Sequence, residues 1–202
     1  YYLGMTPEQQ DIVKMIRACD LSEQVKSTSL KIFGKLAEAE AKVHGHGIED
    51  VHFHEIGAVD SIIDIVGAAI CFDSFKADRI LSSTVQTGGG FVRCAHGTLP
   101  VPAPATAEIL KGIPVKTGAV PFECTTPTGA AILAATVARF TDQIRFTPMK
   151  TGYGIGQRTA EIPNVLRRFL GEMAEEGFTG DGGREEGILM EWNIDDMNPE
   201  MY

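Results

Sequence analysis

Residues 126–170, TPTGAAILAATVARFTDQIRFTPMKTGYGIGQRTAEIPNVLRRFL, pass from one helix directly into strands, and this order decides the fold class. A threonine–proline pair begins the helix, because threonine can cap a helix and proline suits its first turn, and the pattern extends the helix through Arg139. The pattern then predicts strands over residues 145–151 and 165–170, with another over residues 188–194. These strands do not alternate with helices as a βαβ fold requires. The sequence therefore predicts an α+β protein with mixed helices and strands and a strand-rich C-terminal third.

The first half of the chain is mainly helical in its pattern. Residues 22–43 carry apolar side chains at helical spacing, and residues 61–72 form an apolar run that begins after Asp60. The run predicts a buried helix with Asp60 as its cap. Residues 51–55 between the two helices have the pattern of a short strand.

The domain organisation follows from a glycine-rich and charged segment near the C-terminus. Residues 175–186 have the composition of a mobile loop or linker. We therefore predict a main α+β domain over residues 1–174. Residues 187–202 would be the start of a truncated second domain.

The bulk composition excludes several classes of function. The chain has 202 residues, is 44% hydrophobic and carries a net charge of -9, which disfavours contact with nucleic acid phosphates. No apolar stretch reaches the length of a membrane span, and no signal peptide is visible. None of the four cysteines forms a CxxC pair, so a reducing compartment is the simpler assumption. We expect a cytoplasmic protein that binds neither nucleic acid nor a membrane.

Polar side chains crowd the otherwise apolar segment between residues 52 and 64. On a strand, His52 and His54 point to one face, and with Glu55 they could bind a borderline metal such as nickel or zinc. Asp60 and Asp64 are four residues apart, which places both carboxylates on one side of a helix. Alternatively, one histidine packs under a helix and Asp60 only caps. Unpaired burial of so many ionisable groups is costly, so a shared task is favoured.

A second polar cluster stands at the start of the helix after residue 124. Thr125, Thr126, Thr128 and Gly129 would present hydroxyls and free amides, which suit a phosphate. The alternative is a plain helix cap, which needs only one threonine. The GxxxxGK[ST] pattern of a phosphate-binding loop is absent. Arg158, after a run of alternating glycines, could also pair with a phosphate.

Five blocks of the sequence, in this order, resemble the LarC family of nickel insertion proteins. They are HFHEIGAVDSIIDIVG (52–67), GTLPVPAPAT (97–106), TPTGAA (126–131), GYGIG (152–156) and NIDDMNPE (193–200). The resemblance implies insertion of nickel into a pyridinium mononucleotide bearing two thiocarboxylates. It implies the use of CTP with a divalent cation, Mg²⁺ or Mn²⁺, and a product known as the nickel-pincer nucleotide. Such an enzyme is a nickel insertase or chelatase, a cyclometallase of the lyase type.

The resemblance also has consequences for how much of the protein is present. The family's Ser/Gly-rich N-terminal opening is missing, and its second domain, which the resemblance implies binds CTP, begins near Asn193. We therefore expect a fragment, mostly the first domain, that lacks full activity. A homo-oligomer is expected. The alternative function is a non-catalytic module that binds or stores nickel.

The resemblance suggests roles for the first polar cluster. Nickel in the product is bonded to a ring carbon, so a base must remove the ring proton. His52 and His54 are the candidate bases, because histidine works near neutral pH, and Asp60 or Asp64 is the rival. We assign catalysis to His52, His54 and Asp60, and nickel binding to both histidines with Glu55 and Asp64. The alternative is that the histidines only ligate or pack and the proton leaves to water.

Overall fold

The computed structural model describes residues 7–45, 47, 59–94, 97–156, 162–173 and 185–191. The chain forms two units that alternate along the sequence. The first unit comprises residues 1–74, 102–112 and 125–136, and the second comprises residues 75–101, 113–124 and 137–202. Each unit is thus assembled from segments that are far apart in the chain.

The first unit is helical. Its elements are α1 (Pro7–Ala18), α2 (Glu23–His44), nearly all of α3 (Val59–Phe75), α4 (Pro104–Ile109) and α5 (Pro127–Thr136). The predicted helix over residues 22–43 is confirmed as α2. Its first turn is capped by Ser22, whose hydroxyl accepts a hydrogen bond from the Val25 amide at 3.2 Å. It ends at His44 and is capped by Gly45, which has a φ of 65° that favours glycine.

Apolar side chains from α1, α2, α3 and α5 form one core in the first unit. Ile32, Leu36 and Ile65 are fully buried in it, and Ile16 is 2% exposed. Burial of a side chain of this size stabilises a fold by about 1.5–3 kcal/mol relative to exposure. The core therefore holds the four helices together.

Leu36→Ala should lower the free energy of unfolding by about 3 kcal/mol, because the substitution leaves a cavity at a fully buried position. Met15→Ala on α1 is the matched control, since that side chain is 52% exposed. Denaturant unfolding followed by circular dichroism measures both changes. Equal losses for the two variants would contradict the position of the core.

Helix α3 corrects the prediction of a buried helix capped by Asp60. The helix begins at Val59, so Asp60 lies within its first turn. Only Ile65 and Ala69 are buried among the helix's described side chains, whereas Val59 and Ile63 are 68% and 63% exposed. The prediction of burial was wrong because apolar residues occupy most of the circumference of this helix, including positions that are exposed. Asp60 and Asp64 mark only one side at its first turns, so the sequence did not show how little of the helix is buried.

The second unit is built on one large sheet with the strand order β6-β1-β9-β8-β7. Its strands are β1 (Arg79–Ser82), β6 (Arg139–Phe140), β7 (Phe146–Ile155), β8 (Val165–Met173) and β9 (Glu185–Glu191). β1 pairs in parallel with β6 and β9, whereas β8 pairs antiparallel with β7 and β9. Two small sheets accompany it, one from β2 (Val85–Gln86) and β5 (Val115–Lys116), the other from β3 (Phe91–Cys94) and β4 (Gly97–Pro100).

The α+β class and the strand-rich C-terminal third are confirmed. The helix predicted to reach Arg139 instead ends at Thr136, where the Lys31 ammonium donates to the Ala135 carbonyl at 2.5 Å. Arg139 then pairs with Leu81 of β1. The predicted domain boundary at residue 187 falls within β9, which lies between β1 and β8. A second domain beyond it stays a prediction.

Candidate functional site

The predicted metal cluster lies partly within the described residues. His52, His54 and Glu55 lie outside them. Asp60 and Asp64 lie one turn apart on α3, and both side chains are exposed. The predicted placement of two carboxylates on one side of a helix is thus confirmed. Within the part of the chain that the structure describes, no group of three or more His, Cys, Asp and Glu side chains is arranged to hold a metal ion.

The predicted phosphate site is the N-terminal turn of α5. The Thr126 hydroxyl accepts a hydrogen bond from the Gly129 amide at 3.2 Å, so Thr126 caps the helix. Thr125 is fully buried, whereas Thr126 is exposed and Thr128 and Gly129 are half-buried. Thr126 therefore acts as a plain helix cap, as the alternative interpretation of this cluster predicted.

Among the residues that the structure describes, no close contact requires a glycine at position 129. A methyl group at this position would meet the Thr126 hydroxyl at 3.6 Å and the Thr125 side chain at 4.0 Å, which are ordinary contacts. The φ of Gly129 is not positive, so its backbone conformation does not require a glycine either. A close approach by something other than the chain is one reason for a glycine here. Arg158, the remaining predicted phosphate contact, lies outside the described residues.

Thr106 is a buried polar residue that the sequence did not single out. It lies on α4, which packs against α5. The residue is fully buried, and its hydroxyl oxygen has no hydrogen-bond partner among the described residues. An unsatisfied buried hydroxyl costs about 1–3 kcal/mol. Thr106 is the last residue of the sequence block GTLPVPAPAT, in which no single residue was assigned a role.

The chain belongs to the nickel insertion protein family, whose model matches residues 6–202. This confirms the resemblance inferred from the five sequence blocks. No solved structure matches the chain. Among the described residues, no helix has the length and apolar character needed to cross a membrane.

The similar proteins carry a more specific name. Over 193 residues, the chain is 63% identical to a pyridinium-3,5-bisthiocarboxylic acid mononucleotide nickel insertion protein of Clostridium acetobutylicum, covering 96% of this chain and 45% of that protein. Identity to the protein of the same name from Clostridium kluyveri is 60%, covering 96% and 47%. It is 49% for the one from Desulfitobacterium hafniense, covering 95% and 48%. The chain spans about half the length of these relatives.

Proposed function

We propose that the protein containing this chain inserts nickel into pyridinium-3,5-bisthiocarboxylic acid mononucleotide, forming a nickel-pincer nucleotide cofactor. The observation that carries the proposal is the 63% identity over 96% of the chain to a relative of that name. The family match over residues 6–202 supports the same role. In this proposal nickel is a substrate, which the protein transfers to the mononucleotide.

The remaining parts of the proposal concern the reaction and its partners. The reaction is of the lyase type, a cyclometallation, and it depends on CTP with Mg²⁺ or Mn²⁺. CTP binds in a second domain. The chain spans about half the length of the named relatives, and a second domain fits in the remaining half. The protein works in the cytoplasm as a homo-oligomer. Full activity therefore belongs to the full-length protein.

At the metal end of the site, His52, His54, Glu55 and Asp64 hold nickel. Imidazole nitrogens suit nickel, and adjacent carboxylates fix the orientation of an imidazole ring. Asp60 and Asp64 support this assignment, because both are exposed on one side of α3, a few residues after the histidines. Asp60 is assigned to catalysis with the histidines.

For the phosphate of the mononucleotide, the N-terminal turn of α5 is the assigned binding site, and Arg158 stays a separate candidate that rests on the sequence alone. The amides at a helix N-terminus and the partial positive charge there attract an anion. The exposure of Thr126 and the lack of a packing reason for Gly129 support this assignment. Thr125, being buried, contributes by holding the turn in place.

The double variant Thr126→Ala with Thr128→Ala should weaken binding of the mononucleotide at least about tenfold, because two hydroxyl donors to a charged phosphate are lost. Loss of the Thr126 cap should cost about 1 kcal/mol of stability, which leaves the helix folded. Titration calorimetry gives the affinity, and circular dichroism checks the fold.

The double variant Thr126→Ser with Thr128→Ser is the matched control, since it keeps both hydroxyls and the cap. It should bind like the wild type. An affinity that is the same in the alanine and serine variants would refute the phosphate assignment.

Nickel retention separates the proposed function from its alternatives. The full-length protein should retain nickel in equilibrium dialysis and release it into the mononucleotide when CTP is added. Retention without any conversion would select a nickel-storage module instead. No nickel binding, with full tolerance of His52→Ala and His54→Ala, would select a purely structural role.

A further inference from the structure

Helix α3 exposes a row of large apolar side chains along one side. Val59 is 68% exposed, Ile63 is 63% exposed and Ile70 is 42% exposed, and Val66 between them is half-buried. Single exposed apolar residues are ordinary on a protein surface, whereas a contiguous group marks a surface that contacts another molecule. We call these four residues the α3 stripe.

The spacing of the α3 stripe is that of a contact between two helices. Its members are separated by four, three and four positions, so they lie one above another on a helix with about 3.6 residues per turn. Apolar residues that alternate in this way form the seam of a coiled coil. Val66 also packs against the core of the first unit. The stripe therefore begins at the edge of the core and continues over the exposed side of the helix, where its spacing suits a second helix.

The charges beside the α3 stripe are all negative. From Val59 to Phe75 the helix contains three aspartates and no lysine, arginine or histidine. Asp60 and Asp64 are exposed, and each directly follows a residue of the stripe. The chain as a whole carries a net charge of -9. This surface attracts a positively charged partner and repels an acidic one.

We propose that the α3 stripe is the docking site for a basic amphipathic helix of a partner protein. The apolar face of that helix packs on the stripe, as in other complexes in which a helix is recognised through residues at helical spacing. Lysine or arginine side chains at the margin of the helix are attracted by the acidic side of α3. Because Asp60 and Asp64 are also assigned to the nickel chemistry, the docked partner stands next to the site where the product forms. The docking itself does not depend on that assignment.

Two other occupants of the α3 stripe match its charges less well. A second copy of the chain would bring the acidic side of α3 close to an equally acidic one. Helices that lie on a membrane surface carry lysine or arginine on their polar face, whereas α3 carries only aspartate. The basic helix of a partner protein is therefore the occupant that the charges favour.

The test is fluorescence anisotropy on the full-length protein, without nickel or the mononucleotide. The probe is a labelled synthetic amphipathic helix with leucine along one face and lysine elsewhere, and the comparison peptide has glutamate in place of every lysine. The lysine peptide should bind with a Kd of about 100 μM or lower, and the glutamate peptide should bind at least about tenfold more weakly. No binding of the lysine peptide, or equal binding of both, would overturn the proposal. Because nickel is absent, either result leaves the nickel-insertion proposal unaffected.

The double variant Ile63→Ser with Ile70→Ser separates docking on the stripe from general attraction to an acidic protein. It removes apolar contact area and leaves the charge unchanged, so it should bind the lysine peptide at least about tenfold more weakly. The double variant Val115→Ser with Met149→Ser is the matched control, since these side chains of the second unit are 44% and 50% exposed. The control should bind like the wild type. Equal affinity in all three proteins would show that the peptide does not dock on the stripe.

Further measurements distinguish the other occupants. Self-association of the wild type in sedimentation velocity that is lost in the Ile63→Ser, Ile70→Ser variant would replace the partner helix with a second copy. Binding to phosphatidylserine vesicles that is lost in the same variant would replace it with a membrane surface. If the variant does not fold, a photo-crosslinker on the leucine face of the lysine peptide decides the question with the wild type. Crosslinks within residues 59–70 support the proposal, and crosslinks confined to other parts of the chain contradict it.

Discussion

Gly88→Ala is expected to unfold the second unit, with a loss of more than about 4 kcal/mol of stability. A Cβ atom at this position would lie 1.8 Å from the carbonyl oxygen of Phe122. That carbonyl cannot easily move away, because it accepts a hydrogen bond from the Gly89 amide at 3.2 Å. The φ of 79° at Gly88 adds strain for any other residue. Denaturant unfolding followed by circular dichroism measures the loss.

Gly118→Ala isolates the steric clash from the backbone strain. Its φ of 82° matches that of Gly88, but a Cβ there would meet nothing within 4 Å. The expected cost is only the left-handed conformation, about 1–2 kcal/mol. Similar losses of stability for the two variants would show that the clash with the Phe122 carbonyl does not cause the loss in Gly88→Ala.

The double variant His52→Ala with His54→Ala should lower turnover by about 100-fold or more at saturating nickel, because general base catalysis contributes on that scale. Saturating nickel matters because both histidines are also assigned to metal binding. Turnover of the full-length protein against pH, for each single variant and the pair, separates the roles. A residue that acts as the base should remove the acid-side fall of the profile when it is replaced.

His44→Ala is the matched control for this experiment. His44 ends α2 and lies 3.4 Å from the Glu40 carboxylate, outside the sequence blocks shared with the family. It should leave turnover and the pH profile unchanged. If neither His52→Ala nor His54→Ala lowers the rate or alters the profile, the histidine-base assignment is wrong, and Asp60 or water is the acceptor.

The sequence predicted those parts of the fold that local chemistry decides. The start of α2 at Ser22 and the start of α5 at Thr126 were readable, since each is a capping residue directly before a helix. The end of α5 was not readable, because it depends on the pairing of β6 with β1 almost 60 residues earlier, Leu81 with Arg139. The alternation of two units along the chain has the same origin, since long-range pairing leaves no local signal.

Some parts of the candidate site were likewise predicted from the sequence, and others were not. Thr126 and Thr128 were recognised because they stand together at a helix start. The apolar sequence of α3 predicted a buried helix. The exposure of Asp60 and Asp64 depends on how the helix packs in the folded protein, which the sequence does not reveal.

The most direct test of the central claim is a nickel-transfer assay on the full-length protein. Nickel, the bisthiocarboxylic acid mononucleotide and Mg²⁺ are incubated with the protein, with and without CTP. After removal of the protein by ultrafiltration, mass spectrometry measures nickel bound to the mononucleotide. We predict that the nickel-containing mononucleotide forms only when CTP is present. Nickel that stays with the protein, or stays free, in both reactions would contradict the proposed function.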